Sequence, residues 1–392
     1  MTERLYYTDS YLREFRANVI ETAEGGRRVY LDRTAFYPAS GGQPHDTGTI
    51  AGADVIEVVD EGDRVAHFVS NAVSEGEVEC QIHWPRRFDH MQQHSGQHLL
   101  SAVLVEKLGA PTVSFHLGAE SSTIDIGGAL TETDLPAAEV RANQIAFENR
   151  RVTVSFEEAD AAAGLRKASE REGTLRIVSI EGLDRSACGG THVRATGEIG
   201  PVLIRRLERV HGNLRIEFLC GLRAVRRAHA DYDALARIGR TFSCALDEAP
   251  ALAAAQVHSL EAAEKARRKA AVELARVRGG ELYDATAANA AGQRVAVERV
   301  AAGVSDEEVR ARAQGFTERP RACFVAVMAG ARPSALMAVS ADVGVHAGNV
   351  VKDAVARLGG RGGGSAQMGQ GSVPSQEAAE ALLAALLAAI GG

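Results

Sequence analysis

Asp89-His90-Met91-Gln92-Gln93-His94-Ser95-Gly96-Gln97-His98-Leu99-Leu100 places three histidines at intervals of four. On a helix, residues four apart lie on one face, so two such imidazoles can close on a single ion. All three cannot do so. The outer pair is separated by about 12 Å of helix rise, whereas a zinc–nitrogen bond is about 2 Å. Either His90 with His94 or His94 with His98 is the pair, and further ligands must come from elsewhere. The apolar run that follows, Leu99-Leu100-Ser101-Ala102-Val103-Leu104, is compatible with a helix anchored in a core.

A second half-site stands about ninety positions on. Cys188-Gly189-Gly190-Thr191-His192 repeats the spacing with a thiol in place of the first imidazole. Three imidazoles and a thiolate form a nitrogen/sulfur set that suits zinc. A buried cysteine beside a tight glycine turn is the plainer alternative.

Composition narrows the classes. A chain of 392 residues holds two or three domains. The five cysteines, Cys80, Cys188, Cys220, Cys244 and Cys323, show no paired spacing, which argues against a disulfide scaffold and for a reducing compartment. The polar N-terminus and the absence of a run of about twenty apolar residues point to a cytoplasmic protein with no membrane partner. The net charge is −7, yet residues 223–280 carry 11 basic against 7 acidic side chains. Arg205, Arg206, Arg209, Arg215, Arg223, Arg226 and Arg227 cluster just before and within that stretch, and such a stripe can hold a phosphate backbone on an acidic protein. A solvated helix face is the competing reading.

Taken in order, the chain reads as α+β with four parts. Residues 1–84 show short strands at Val29–Asp32, Val55–Val59, Val65–Val69 and Glu77–Ile82, the spacing of a small β-barrel. Between them, Ser40-Gly41-Gly42-Gln43 allows close backbone approach to a ligand. Residues 85–222 form an α+β metal-binding domain: the histidine helix, a hairpin at Val113–Leu117 and Ser122–Ile126, and a helix from about Thr133 to Asn149. A strand at Val152–Phe156, a short helix and further strands complete it. Residues 223–280 form a helical arm in which Leu260, Arg267 and Leu274 repeat at seven, a heptad seam able to support a homodimer or an intramolecular arm, ended by Gly279-Gly280. Residues 281–392 form a C-terminal α/β domain, with a capping box at Ser305–Glu308 and a glycine-rich loop, Gly359–Gly371. That loop lacks the Gly-Lys-Ser/Thr ending of a P-loop and follows a helix, so nucleotide binding is rejected. Its exposed amides, with Lys352, Arg357 and Arg361, suit an RNA backbone.

These motifs, as a set and in this order, resemble the editing domain of alanyl-tRNA synthetases and its free-standing AlaX-type relatives. His94-x-x-x-His98 with Cys188-x-x-x-His192 resembles the metal site. Ser40–Gln43 is similar to the glycine-rich motif of the preceding barrel, and Gly359–Gly371 to that of the synthetase's C-terminal tRNA-contacting domain. The resemblance implies zinc held by His94, His98, Cys188 and His192, leaving His90 one turn away as a supporting imidazole.

It also implies an activity, the hydrolysis of serine or glycine from alanine tRNA in translation quality control. The chain begins at the barrel, with no room upstream for a class II synthetase catalytic domain, so a free-standing deacylase acting in trans, without ATP, is expected. Four protein ligands resemble a closed structural zinc site, so one ligand, His192 by expectation, yields to substrate or the metal only shapes the pocket. Gln43, Ser95, Gln97 and Ser114 are the candidates for recognising the serine hydroxyl, a contact that alanine would leave unpaired. Arg205, Arg206, Arg209, Lys352, Arg357 and Arg361 are the candidate tRNA contacts. Two other readings compete: a non-catalytic, zinc-stabilised tRNA-binding protein, and editing of another tRNA such as threonine tRNA. A DHH-type phosphodiesterase is disfavoured, because Asp89-His90 is followed by Met91.

Overall fold

The computed structural model describes residues 1–392 except 169–171, 211, 301–303 and 392. It divides into two compact units, Met1–Ile238 and Gly239–Gly392.

The first unit begins with a closed, all-antiparallel barrel of six strands. These are β1 (Glu14–Ala23), β2 (Arg28–Leu31), β3 (Gly48–Ile50), β4 (Ala53–Asp60), β5 (Val65–Val69) and β6 (Gly76–Ile82), in the order β1-β2-β5-β4-β3-β6 with β6 closing onto β1. Val19, Leu31, Ile50, Val55, Val58 and Val65 turn inward to pack with Phe36, by alternation along each strand and, between Val55 and Val58, by a register shift. The ten-residue β1 escaped the sequence reading because its inward alternation of Phe15, Ala17 and Val19 is short and breaks at a register shift after Val19.

The histidine stretch is the helix α1 (Trp84–Leu108), with Pro85 in its first turn and Gly109 capping it at φ +60°. Its length from His90 to Leu104 is buried without interruption. Two antiparallel sheets and a second helix surround it. One sheet contains β7 (Thr112–Leu117), β8 (Ser122–Ile126), β12 (Val202–Val210) and β13 (Asn213–Cys220), in the order β12-β13-β8-β7. The other contains β9 (Val152–Glu158), β10 (Thr174–Ile180) and β11 (Asp184–Ala187), in sequence order. The helix is α2 (Leu135–Phe147), preceded by a capping turn in which the Thr131 amide donates to Asp134 at 2.9 Å. Leu99, Leu100, Val103 and Leu104 pack with Ile124, Ile145, Ile216 and Phe218, each full burial contributing roughly 1.5–3 kcal/mol. The short helix expected after β9 does not form among the described residues. That segment turns at Gly164 (φ +70°), and Arg166 docks on β11 instead.

A buried ion pair ties α1 to the barrel. Arg87 and Asp46 are both almost fully enclosed, and Arg87 also donates to the carbonyl oxygens of Ser10 (2.9 Å) and Ala35. Removing either partner would strand a buried charge, which costs about 3–5 kcal/mol.

Helix α3 (Gly221–Phe242) crosses the division between the units, and α4 (Ala249–Ala285) lies in the second. The second unit adds β14 (Arg294–Val300), α5 (Asp306–Thr317), β15 (Ala322–Met328), β16 (Ser334–Val339), α6 (Ala347–Arg357), β17 (Arg361–Gly364), β18 (Met368–Ser372) and α7 (Gln376–Gly391). Its sheet order is β14-β15-β16-β18-β17, with only the first pair parallel. Two expectations are corrected here. The glycine-rich stretch is not an open loop but the β17–β18 hairpin, and Gly369 and Gly371 let it lie against α6 at Val351 and Val355. Gly279-Gly280 does not end the arm, because α4 runs on to Ala285.

The reason is a close crossing of α4 and α5. A Cβ on Gly279 would strike the Arg312 carbonyl oxygen, and one on Gly315 would strike that of Arg276. Gly315→Ala weighs two effects. Alanine favours a helix by about 1 kcal/mol over glycine, while overpacking costs about 1–3 kcal/mol, and here the obstacle is backbone. We expect thermal unfolding of this variant to show a net loss confined to the second unit, with the metal content of the protein unchanged.

Candidate metal centre

The chain brings both half-sites together. His94 and His98 project from one face of α1, and Cys188 and His192 come from the turn that follows β11. One donor atom from each lies within 4.8 Å of all the others. The Cys188 Sγ is 3.4 Å from His94 Nε2 and 3.3 Å from His192 Nε2. Zinc bonds of about 2.0 Å to nitrogen and 2.3 Å to sulfur imply tetrahedral edges of roughly 3.3–3.6 Å, so this donor set fits zinc. His90 is outside the group: it is buried, and its Nδ1 has no hydrogen-bond partner among the described residues.

For Nε2 to serve as a metal donor, the ring proton must sit on Nδ1, and every Nδ1 here meets an acceptor. His94 Nδ1 donates to Gln43 Oε1 at 2.8 Å, His192 Nδ1 to Ser95 Oγ at 3.0 Å, and His98 Nδ1 to Asp184 Oδ2 at 3.2 Å. Such partners fix the tautomer and aim of each ring. Gln43 is itself held by Thr191, accepting from its amide at 3.2 Å and donating to its hydroxyl at 2.9 Å. Ser95 accepts from the Val193 amide at 3.1 Å. Gly190 leaves the space His94 needs, since a Cβ there would overlap the imidazole and come within 3.0 Å of Gln43 Oε1.

Charge follows burial and neighbours. Burial alone would raise the Cys188 thiol, but His94 and His192 in contact hold it well below its ordinary value. Burial and His94 push His192 down to about 3. Burial would lower His98 as well, yet Asp184 and Cys188 lift it to about 9.

His94, His98 and Cys188 line a cavity of about 1020 Å³, whose walls include Tyr7, Tyr37, Phe115 and Arg176. His192 is not among the residues that line it, whereas His94, His98 and Cys188 are. The sequence-derived pocket residues divide. Gln97 and Ser114 line the cavity, whereas Gln43 and Ser95 lie behind the imidazoles as positioning groups. Gln97 Nε2 donates to Ser101 Oγ at 2.8 Å, and its Oε1 has no partner among the described residues. Ser114 donates to Asp125 at 2.7 Å. Gly41 lines the cavity, and Gly42 packs on Phe115 of β7.

The basic candidates also separate. Arg205 pairs with Asp231, and Arg206 with Glu217 at 2.9 Å and Glu208 at 2.5 Å. Arg209, Lys352, Arg357 and Arg361 are exposed with no ion-pair partner among the described residues. Sequence reasoning missed Asp184 and Arg176. Asp184 had a signal, because Asp184, Ser186 and Cys188 follow the period of two that shares one strand face. Arg176, buried, donates to the carbonyl oxygens of Cys188 at 2.6 Å and Tyr7 at 2.9 Å, a link that only the fold creates.

Parts of the chain are similar to known proteins. The family described as threonyl and alanyl tRNA synthetase second additional domain matches residues 175–217, and the DHHA1 domain matches 292–392. The alanyl-tRNA editing protein AlaX-L of Pyrococcus horikoshii is 33% identical over 240 residues, covering 57% of this chain and 59% of that protein. The alanyl-tRNA editing protein Aarsd1 of Danio rerio is 34% identical over 247 residues, 57% of this chain and 60% of that one. The alanine–tRNA ligase of Pyrococcus abyssi is 30% identical over 392 residues, 95% of this chain but 42% of the ligase. The chain thus spans about three fifths of these editing proteins and under half of the ligase.

Two outcomes are expected. Gly190→Ala displaces His94 and lowers zinc affinity at least about tenfold, read by chelator competition. Because His98 is lifted to about 9 and the Cys188 thiol is held well below its ordinary value, uptake near neutral pH is expected to displace the His98 proton rather than a thiol proton. Zinc uptake should therefore release close to one proton, measured by calorimetry in buffers of different ionisation enthalpy. Release of two would show that the thiol had kept its own.

Proposed function

We propose that this homologue of the alanyl-tRNA editing proteins is a zinc-dependent hydrolase that removes serine or glycine from mischarged alanine tRNA. The observation that carries the reading is the four-donor cluster, three of whose members line a cavity of about 1020 Å³. A drug-sized ligand pocket is about 300–1,000 Å³, so there is room for an aminoacyl ester and the nucleoside that bears it.

Zinc, when bound, supplies Lewis acidity toward an ester oxygen or water. The chain's own residues do the rest. Gln43, Ser95 and Asp184 aim the imidazoles, and Arg176 holds the Cys188 carbonyl, keeping the half-site turn in place. Phe115, its ring 5.6 Å from that of His94, gives the cavity an apolar wall beside the donors. Gln97, next to His98 and one turn from His94, with a carbonyl oxygen unpartnered among the described residues, is the group we assign to the serine hydroxyl. Alanine would leave that oxygen without a donor, and sites built to bond a hydroxyl discriminate strongly against its absence; glycine lacks the hydroxyl too, so its cleavage does not rest on Gln97. The exposed Arg209, Lys352, Arg357 and Arg361 are the cations we assign to tRNA phosphates.

The test is deacylation of alanine tRNA charged with serine, glycine or alanine, beside metal analysis of the full chain. Serine and glycine esters should be cleaved and the alanine ester spared. Equal cleavage of all three would remove proofreading while leaving hydrolysis. Gln97→Leu should lower the serine rate relative to glycine by roughly tenfold or more, about 1.4 kcal/mol, with bound zinc unchanged.

A further inference from the structure

Between β9 and β10 the segment 164–168 runs beside the cavity, and Arg166, Lys167 and Ala168 form part of its lining. Arg166 fastens that segment at three points. Its amide donates to the Arg185 carbonyl oxygen on β11 at 2.8 Å, its Nε to Asp184 Oδ1 at 2.7 Å, and its Nη2 to Ser186 Oγ at 3.1 Å. The Asp184 side chain has no exposed surface, and the Arg166 side chain is 16% exposed. The other oxygen of that carboxylate accepts from His98 Nδ1 at 3.2 Å. One buried carboxylate therefore serves the cavity wall through Oδ1 and a metal donor through Oδ2. Ser186 Oγ also donates to Oδ2, at 3.0 Å, and fixes the rotation of the group.

We propose that Arg166 is a positioning residue that locks the carboxylate aiming His98, so that the seating of the cavity wall and the hold on the metal share one anchor. This rests on the metal reading of the four-donor cluster. Without the guanidinium, Oδ1 loses its charge-assisted bond, and the carboxylate is left with the Ser186 hydroxyl and the His98 ring it is meant to aim. The His98 ring is then less firmly aimed. Coupling runs both ways, because two events that share an anchor must influence each other equally in free energy. A substrate pressing the 164–168 segment into place would tighten the hold on zinc, and bound zinc would favour the seated segment.

The experiment uses the zinc-loaded full chain and the rate of zinc transfer to a chromophoric chelator, with no tRNA present. Partners of metal-bound histidines are worth roughly 10–100-fold in metal affinity. Arg166→Ala should release zinc faster by about that factor and shift the visible bands of the cobalt-substituted protein, and Arg166→Lys should recover part of both. Lys167→Ala, on the same segment with no bond to Asp184, should leave zinc release as in the parent. Adding an uncharged alanine tRNA should slow release from the parent and not from Arg166→Ala. Should Arg166→Ala fail to fold, Arg166→Gln, which retains the backbone bond to β11, is read in the same way. A folded Arg166 variant with parental release rate and cobalt spectrum overturns the proposal. A chain that purifies without zinc and takes none up overturns the metal reading itself, a different result.

Discussion

Three imidazoles can share one metal only if each ring is prevented from rotating, and the first unit is organised by that requirement. His94 is steadied by Gln43 from the barrel, His192 by Ser95 from the helix bearing the other donors, and His98 by Asp184 from a strand. The three acceptors come from three separate parts of the fold. The barrel is therefore part of the site's geometry and not an appended module. Arg87 and Asp46 keep the barrel on α1, and without that attachment Gln43 could not reach His94.

The same requirement explains which features were readable in advance. The donors stood out because spacings of four are visible in any helical or turn register, and the choice between His90 and His98 followed once the resemblance was recognised. Strands such as Val55–Val59 and Val65–Val69 were legible from alternation alone. Gln43 and Ser95 were picked out as polar groups near the site, and the fold sets them against the His94 and His192 rings. A one-dimensional reading shows that a polar side chain is close to a histidine in the fold without showing which ring atom it meets. Arg166 carried no signal whatever, since its partners lie 18 to 20 positions away across a turn.

Glycine was misread for a related physical reason. Gly279-Gly280 looked like a helix terminator and Gly359–Gly371 like a flexible loop, because low helix and strand propensity is the only local property glycine displays. In both places a missing side chain lets two backbones touch: α4 against α5, and the β17–β18 hairpin against α6. The second unit is thus drawn together by absent side chains as much as by its valine and leucine core. The first unit uses the same device, among other places, at Gly96, which lies against Cys220, and at Gly190, which yields room to the His94 ring.

Gln43, at the near end of the chain, completes the surroundings of a ligand set that closes only at His192. During synthesis, the ribosome must deliver nearly half the polypeptide before these groups can meet. A nascent chain that has exposed His94 and His98 still lacks the thiolate and the last imidazole. An ion held by all four donors would therefore be captured only after His192 has been made. Zinc occupancy would then mark chains whose barrel, helix and turn have all found one another, and truncated translation products would remain without it.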